Sequence, residues 1–134
     1  MSIIEEVKKL NISLDDCIVL GGGILNQLGI RKTSDVDLIV KPEIYDQFRK
    51  QTGWIEKTWP HGAPTLLNGI YELGTDWGDD RHIYSFKEIK EHSIVIEGVR
   101  FVNLDFLKKW KQAKGREKDL RDIELITDYL SKHS

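Results

Sequence analysis

The stretch "LGGGILNQLGIRKTSDVDLIV", Leu20–Val40, decides how the rest of the chain is read. Three glycines separate the apolar run "CIVL" (17–20) from the helix-spaced "ILNQLGI" (24–30). Asp35 and Asp37 then alternate into an apolar run that ends at Val40. Side chains two apart on a strand share a face and lie about 6.6 Å apart along it. Asp35 and Asp37 therefore present their carboxylates together, while Val36 and Leu38 face the other way. Like charges held this close raise each other's pKa unless positive charge lies between them. A hard cation such as Mg²⁺ takes one or two carboxylates and fills its other positions with water and phosphate oxygens. An exposed strand edge with ordinary polar alternation is the plainer alternative.

The glycines admit the same two kinds of reading. A P-loop needs a Gly-Lys-Ser/Thr ending, and a dinucleotide fingerprint needs a third glycine where Asn26 stands; neither is present. What remains is a tight turn that demands glycine dihedrals, or a backbone cradle whose amides meet phosphate oxygens at a helix start. A glycine turn after one strand, facing a carboxylate pair at the start of the next, would supply the parts of phosphoryl chemistry: amides for phosphates, carboxylates for metal.

A chain of 134 residues reads as one domain, 1–134, burying roughly two-thirds of its unfolded surface. No apolar run reaches the ~18 residues of a membrane span, and "MSIIEEVKKL" lacks a signal-peptide layout, so a cytoplasmic protein is expected. Cys17 is a lone cysteine inside an apolar run and reads as a buried thiol. His61, His82, His92 and His133 are scattered without paired spacing, which gives a zinc site no support. A net charge of −2 argues against a general nucleic-acid coat. Eight basic residues, however, lie from Arg100 to Arg121 (with Lys108, Lys109, Lys111, Lys114, Arg116 and Lys118 between) against three acids. Such a block is either a solvated helix face or a positive wall for an anionic ligand.

Ile3, Ile4, Val7 and Leu10 have helical spacing, and Pro42 suits the first turn of a helix carrying Ile44, Tyr45 and Phe48. "GWIEKTW" (53–59) reads as strand, "PHGAP" (60–64) as loop and "TLLNGIYELG" (65–74) as a strand or hairpin. "IYSFKEIKEH" (83–92) reads as a short helix, and "SIVIEGVRFV" (93–102) as two strands meeting at Glu97-Gly98. The end is helical, broken at Gly115, with Leu120, Ile123, Ile126 and Leu130 along one face. The tryptophans Trp54, Trp59, Trp77 and Trp110 fit a core, or a surface that stacks a base. Strands and helices without strict alternation give an α+β (α/β) class, a mixed β-sheet covered by helices.

Leu20, Gly21, Gly22, Asp35 and Asp37 together resemble the pattern of the nucleotidyltransferase superfamily, which includes DNA polymerase beta, kanamycin nucleotidyltransferase and the minimal nucleotidyltransferases of prokaryotes. That pattern is a hydrophobic residue, Gly-Gly or Gly-Ser, a spacer, and acid-x-acid among hydrophobics. Arg31 and Thr33 resemble its "R-x-T-x-D-x-D" approach, and "NLDFLKKWKQAKGREKDLRDIELITDYL" (103–130) is similar to the tail of several bacterial branches. The resemblance implies the nucleotidyltransferase fold with a helical C-terminus, a bound nucleoside triphosphate, and two Mg²⁺ ions. An acceptor hydroxyl would attack the α-phosphorus, take a nucleoside monophosphate and release pyrophosphate. It implies Asp35, Asp37 and a third acid at the metals, Gly21 and Gly22 at the phosphates, and Lys111 and Lys118 near the site. Either lysine would then be a surface charge whose removal changes stability by no more than about 0.5 kcal/mol. Structural contacts Arg116–Asp119 or Lys118–Asp122 are the competing use of the tail. The acceptor is left open among a small molecule, a protein hydroxyl and an RNA end, and a homodimer or partner subunit would complete so short a core. A catalytically degenerate relative that binds nucleotide or a partner, as in a toxin–antitoxin pair, and an unrelated α/β binding domain are the alternatives.

The third acid is sought among Glu72, Asp76, Asp79, Asp80 and Glu97. Glu97 sits in an apparent turn, and "GTDWGDD" (74–80) reads as a mobile loop, a poor platform for preorganised ligands. Glu72 lies in the strand-like "GIYELG", so it is the expected third carboxylate, although Asp is commoner there in the superfamily.

Overall fold

The computed structural model describes residues 2–60, 62–79 and 81–133. His61 and Asp80, one of the third-acid candidates, therefore lie outside the described residues. Helix α1 (Ile3–Lys8) starts where the Ser2 hydroxyl accepts the Glu5 N–H, and it buries Ile3, Ile4 and Val7. Strand β1 (Cys17–Val19) is wholly buried and runs through the glycine turn into the five-residue helix α2 (Gly23–Gln27). Strand β2 (Val36–Val40) returns antiparallel to β1, and Pro42 opens helix α3 (Pro42–Arg49) at its first turn. Strands β3 (Ile55–Lys57), β4 (Thr65–Asn68) and β5 (Tyr71–Gly74) form an antiparallel meander, with Gly69 at φ +58° in the β4–β5 turn. Strand β6 (Asp76–Gly78) pairs with β7 (Ile83–Ser85), and Ser85 with Glu88 forms a capping box for helix α4 (Phe86–Lys90). Strands β8 (Ser93–Ile96) and β9 (Val99–Val102) close at Glu97 and Gly98, both at positive φ, as the favoured two-residue hairpin turn requires. Helix α5 (Leu104–Lys114) ends at Gly115, left-handed at φ +64°, and α6 (Glu117–Lys132) follows.

Seven strands make one mixed sheet in the order β3-β4-β5-β2-β1-β9-β8, and β6-β7 is a separate ribbon. Strand β2 is antiparallel to β1 and parallel to β5, while β1 is parallel to β9. Helices α1 and α2 pack on β9, α1 also on β2, and α3 on β4; the core takes in Ile18, Val19, Ile24, Leu25, Leu38, Leu73, Phe101 and Leu107. Each such buried side chain contributes about 1.5–3 kcal/mol of transfer free energy. Among the described residues no helix is long and apolar enough to cross a membrane.

The mixed sheet with helices agrees with the sequence expectation, and three local expectations are corrected. "GTDWGDD" holds strand β6, fixed by its pairing with β7. "IYSFKEIKEH" is strand before it is helix, because Ser85 caps α4 only from there on. Leu120 is 54% exposed, since the core side of that turn of α6 is taken by Asp119 and Asp122.

Candidate functional site

The antiparallel β1–β2 pair sets the site. Val19 faces Leu38, and the Leu20 N–H donates to the Asp37 carbonyl at 2.8 Å. The glycine turn at the end of β1 therefore lies beside the start of β2, where the aspartates are. Gly21 sits at φ +58°, and a Cβ there would stand 3.5 Å from Asp37 Oδ2. Gly22 has an ordinary φ of −70°, and a Cβ on it would meet the Arg31 guanidinium at 3.2 Å. A Cβ at Gly23 would overlap the Val19 Cγ1 methyl, so glycine is required there for the helix to approach its strand.

The parallel pairing of β2 with β5 puts Glu72 opposite Asp37 in register. Asp35 lies exposed just before β2, two residues upstream of Asp37. Burial, then Glu72, then Asp35 raise the Asp37 carboxyl from 3.8 to about 6, against the pull of Lys118. Asp37 keeps solvent contact on the cavity side; the penalty comes from the protein packed around it. Glu72 is also raised, by burial and by Asp35, against Lys57 and the Thr65 hydroxyl. Asp37 and Glu72, whose charged forms are disfavoured where they stand, are oxygen donors of the kind a hard divalent cation takes. Among the described residues, no three acid, histidine or cysteine side chains converge closely enough, as they stand, to hold one ion. Asp76 and Asp79 lie on or beside the β6–β7 ribbon, and Glu97 is at the exposed tip of the β8–β9 hairpin.

A cavity of about 670 Å³ opens beside the aspartates, lined by Gly21, Gly22, Asp35 and Asp37. Its lining also carries Arg31, Lys32, Lys111, Arg116, Lys118 and Arg121. Four of the eight cations in the basic block thus face the cavity. Arg100 instead points to Asp15 and Ser93. Lys118 is exposed on the first turn of α6, with its charge felt at Asp37.

Lys111 is placed differently from its sequence expectation. It is 6% exposed, with Nζ 2.9 Å from Asp122 Oδ2 and 3.4 Å from Asp119 Oδ1. Arg31 binds Asp122 with two N–H donors, at 2.7 and 2.9 Å, and Arg116 binds Asp119 at 2.6 and 3.2 Å. Burial pushes both carboxyls up, but the cations more than offset it and hold Asp119 and Asp122 below the ordinary range. The Arg116–Asp119 contact, one of the two that competed for the tail, is present; Asp122 takes Arg31 and Lys111 rather than Lys118. Lys111 is therefore no surface charge: it ties α5 to α6 beneath the cavity wall.

Sequence reading missed the aromatic partition. Trp77 stacks on Trp110 at 4.4 Å and 15°, and the Trp110 Nε1–H donates to the Gly78 carbonyl at 3.0 Å. Both rings line the cavity. Thirty-odd residues separate them, and no local pattern signals the pair.

No protein-family model matches the chain, and no curated protein does. Among solved structures it is similar to ANT(2")-Ia in complex with adenylyl-2"-tobramycin, with a TM-score of 0.56 and 17% identity over 96% of this chain and 86% of that one. The likeness is one of fold: a mixed α+β architecture matching that of a nucleotidyltransferase.

Proposed function

We propose that the chain is a nucleotidyltransferase that moves a nucleoside monophosphate from a nucleoside triphosphate to an acceptor hydroxyl. The observation that carries this reading is that Asp35 and Asp37 line a cation-rich cavity beside a glycine turn, with Glu72 in register against Asp37. The fold likeness supports the same class. Lys32, Arg116, Lys118 and Arg121 would hold the triphosphate electrostatically, with Gly21 and Gly22 admitting its oxygens close to the backbone. Asp35, Asp37 and Glu72 would hold Mg²⁺. Bound there, Mg²⁺ supplies charge neutralisation and Lewis-acid polarisation of the phosphate. Glu72, whose carboxyl burial and Asp35 raise, would take the acceptor's proton. The new bond joins the acceptor oxygen to the α-phosphorus, and the bond from that phosphorus to the pyrophosphate oxygen breaks.

The neighbour's bound adenylyl group makes ATP the donor to try first. With Mg²⁺-ATP and a panel of hydroxyl acceptors, the wild type should release pyrophosphate. Glu72→Gln should lower that rate by about 10²–10⁴, the usual range for a lost general base, while ATP still binds. Asp37→Asn should abolish Mg²⁺-dependent binding. Undiminished release in both variants would sink the proposal. ATP binding without release from any acceptor would leave the catalytically degenerate, nucleotide-binding relative.

A further inference from the structure

A second cavity, about 770 Å³, lies on the other side of Trp77 and is lined by Trp59, Trp77, Asp76, Arg81, His82 and Lys114 among others. We propose that it seats the acceptor, and that the acceptor is an uncharged, ring-bearing hydroxyl compound such as an aryl glycoside. This rests on the nucleotidyl-transfer reading and adds the substrate class.

Position comes first. Trp77 is a wall of both cavities, so an occupant of one borders an occupant of the other. A second link runs from Trp59, whose Nε1–H donates to Thr65 Oγ1 at 2.9 Å, through the Thr65 hydroxyl to Glu72. The cavity thus borders the Trp59–Thr65 bond that leads on to the carboxylate assigned to the acceptor's proton. Its volume is that of a small-molecule site rather than a groove for a chain.

Chemistry selects the class. Trp59 is 39% exposed and the half-buried Trp77 also lines the cavity, giving two aromatic surfaces for a ring to rest on. Among the described lining residues the formal charges cancel, Asp76 and Asp79 against Arg81 and Lys114. One of these acids is already engaged, since Asp79 Oδ1 accepts from the Arg81 and His82 amides at 2.7 and 3.0 Å. The Lys57 ammonium, 4.1 Å from the Trp59 ring centre, adds positive charge at the rim. A polycation such as tobramycin would meet like charge at Lys57 and Arg81. A phosphodiester chain would meet Asp76 and Asp79. An uncharged ring avoids both, with Asp76 accepting from its hydroxyls.

The four tryptophans report on this separately. Trp54 packs on Phe48 and Tyr71, away from both cavities, and serves as the control. In protein labelled with 5-fluorotryptophan, ¹⁹F spectra assigned through Trp→Phe variants should show ATP with Mg²⁺ moving Trp77 and Trp110. Adding 4-nitrophenyl β-D-glucopyranoside should move Trp59 and Trp77 and leave Trp54 in place. Trp59→Ala should weaken the glycoside about tenfold and leave the ATP shifts unchanged. Tobramycin or an RNA oligonucleotide that moves Trp59 at lower concentration than the glycoside overturns the class. If ATP acts as expected and the glycoside leaves Trp59 unmoved, this inference fails while nucleotidyl transfer stands. If ATP moves neither Trp77 nor Trp110, the nucleotidyl reading fails first and the acceptor role goes with it.

Discussion

Burial, with Glu72 across the strand pair and Asp35 upstream, raises the Asp37 carboxyl to about 6. A carboxyl raised this way stabilises the fold most when protonated. Its contribution is fully present below the unfolded pKa and is lost as pH climbs through the folded one. Without divalent ions, the wild type should lose stability relative to Asp37→Asn between about pH 4 and pH 6, because the amide does not titrate. Urea unfolding of both proteins across that window measures the difference, and a difference that stays flat with pH rejects it. Mg²⁺ competes with the proton for the same oxygens and should bind more tightly as pH rises through about 6. The neighbouring glycines separate by the same residue-level reasoning. Gly23→Ala forces a methyl onto Val19 and should cost about 1–3 kcal/mol, as overpacking does. Gly22→Ala meets the polar ends of two side chains, the Arg31 guanidinium at 3.2 Å and Thr33 Oγ1 at 3.3 Å, from an ordinary backbone conformation. It should stay within about 0.5 kcal/mol, and equal destabilisation by the two would contradict the assignment.

At the scale of elements, the α5–α6 corner turns a basic block into a sorted set. Lys111 is enclosed by Asp119 and Asp122, while Lys118, in the first turn of α6, is exposed. Lys111→Met should cost about 3 kcal/mol, the scale of a broken buried pair, with Arg31 and Arg116 left to steady the two acids. Lys118→Ala should change stability by less than about 0.5 kcal/mol and still weaken ATP binding. Thermal or urea unfolding with parallel ATP titration distinguishes the two, and similar stability losses would return Lys111 to the surface reading. The sequence could not make this distinction, because burial of one lysine among several depends on partners in another helix. It did make plain what is local: the alternation of β2, the glycine turn, Pro42 at the head of α3, and the β8–β9 hairpin. Strand β6 was illegible for the opposite reason. Its glycines and acids describe a loop, and what holds it is Trp110, reached through stacking and through the Gly78 carbonyl. Leu120 misled because helical spacing identifies a face by its apolar residues, whereas here the inward positions of that turn belong to paired charges.

At the scale of the whole molecule, the cavity is assembled from both ends of the chain. The glycine turn and aspartates come from residues 21–37, and the cationic wall largely from residues 111–121. A net charge of −2 hides this concentration of positive charge. The halves meet at Arg31 and Asp122, 91 residues apart, through a bidentate pair whose carboxylate is nearly buried. Arg31 also stands against Gly22, so the same side chain braces the turn and the last helix. A double-mutant cycle with Arg31→Met and Asp122→Asn should therefore give a coupling energy of about 1–3 kcal/mol. Exposed ion pairs reach only about 0.2–1 kcal/mol. Either single change should also weaken ATP, because the turn loses its support even where Asp35 and Asp37 are untouched. Additive stability costs, together with unchanged ATP affinity, would mean that the two ends of the chain form the cavity independently and that Arg31 is an ordinary surface partner of α6.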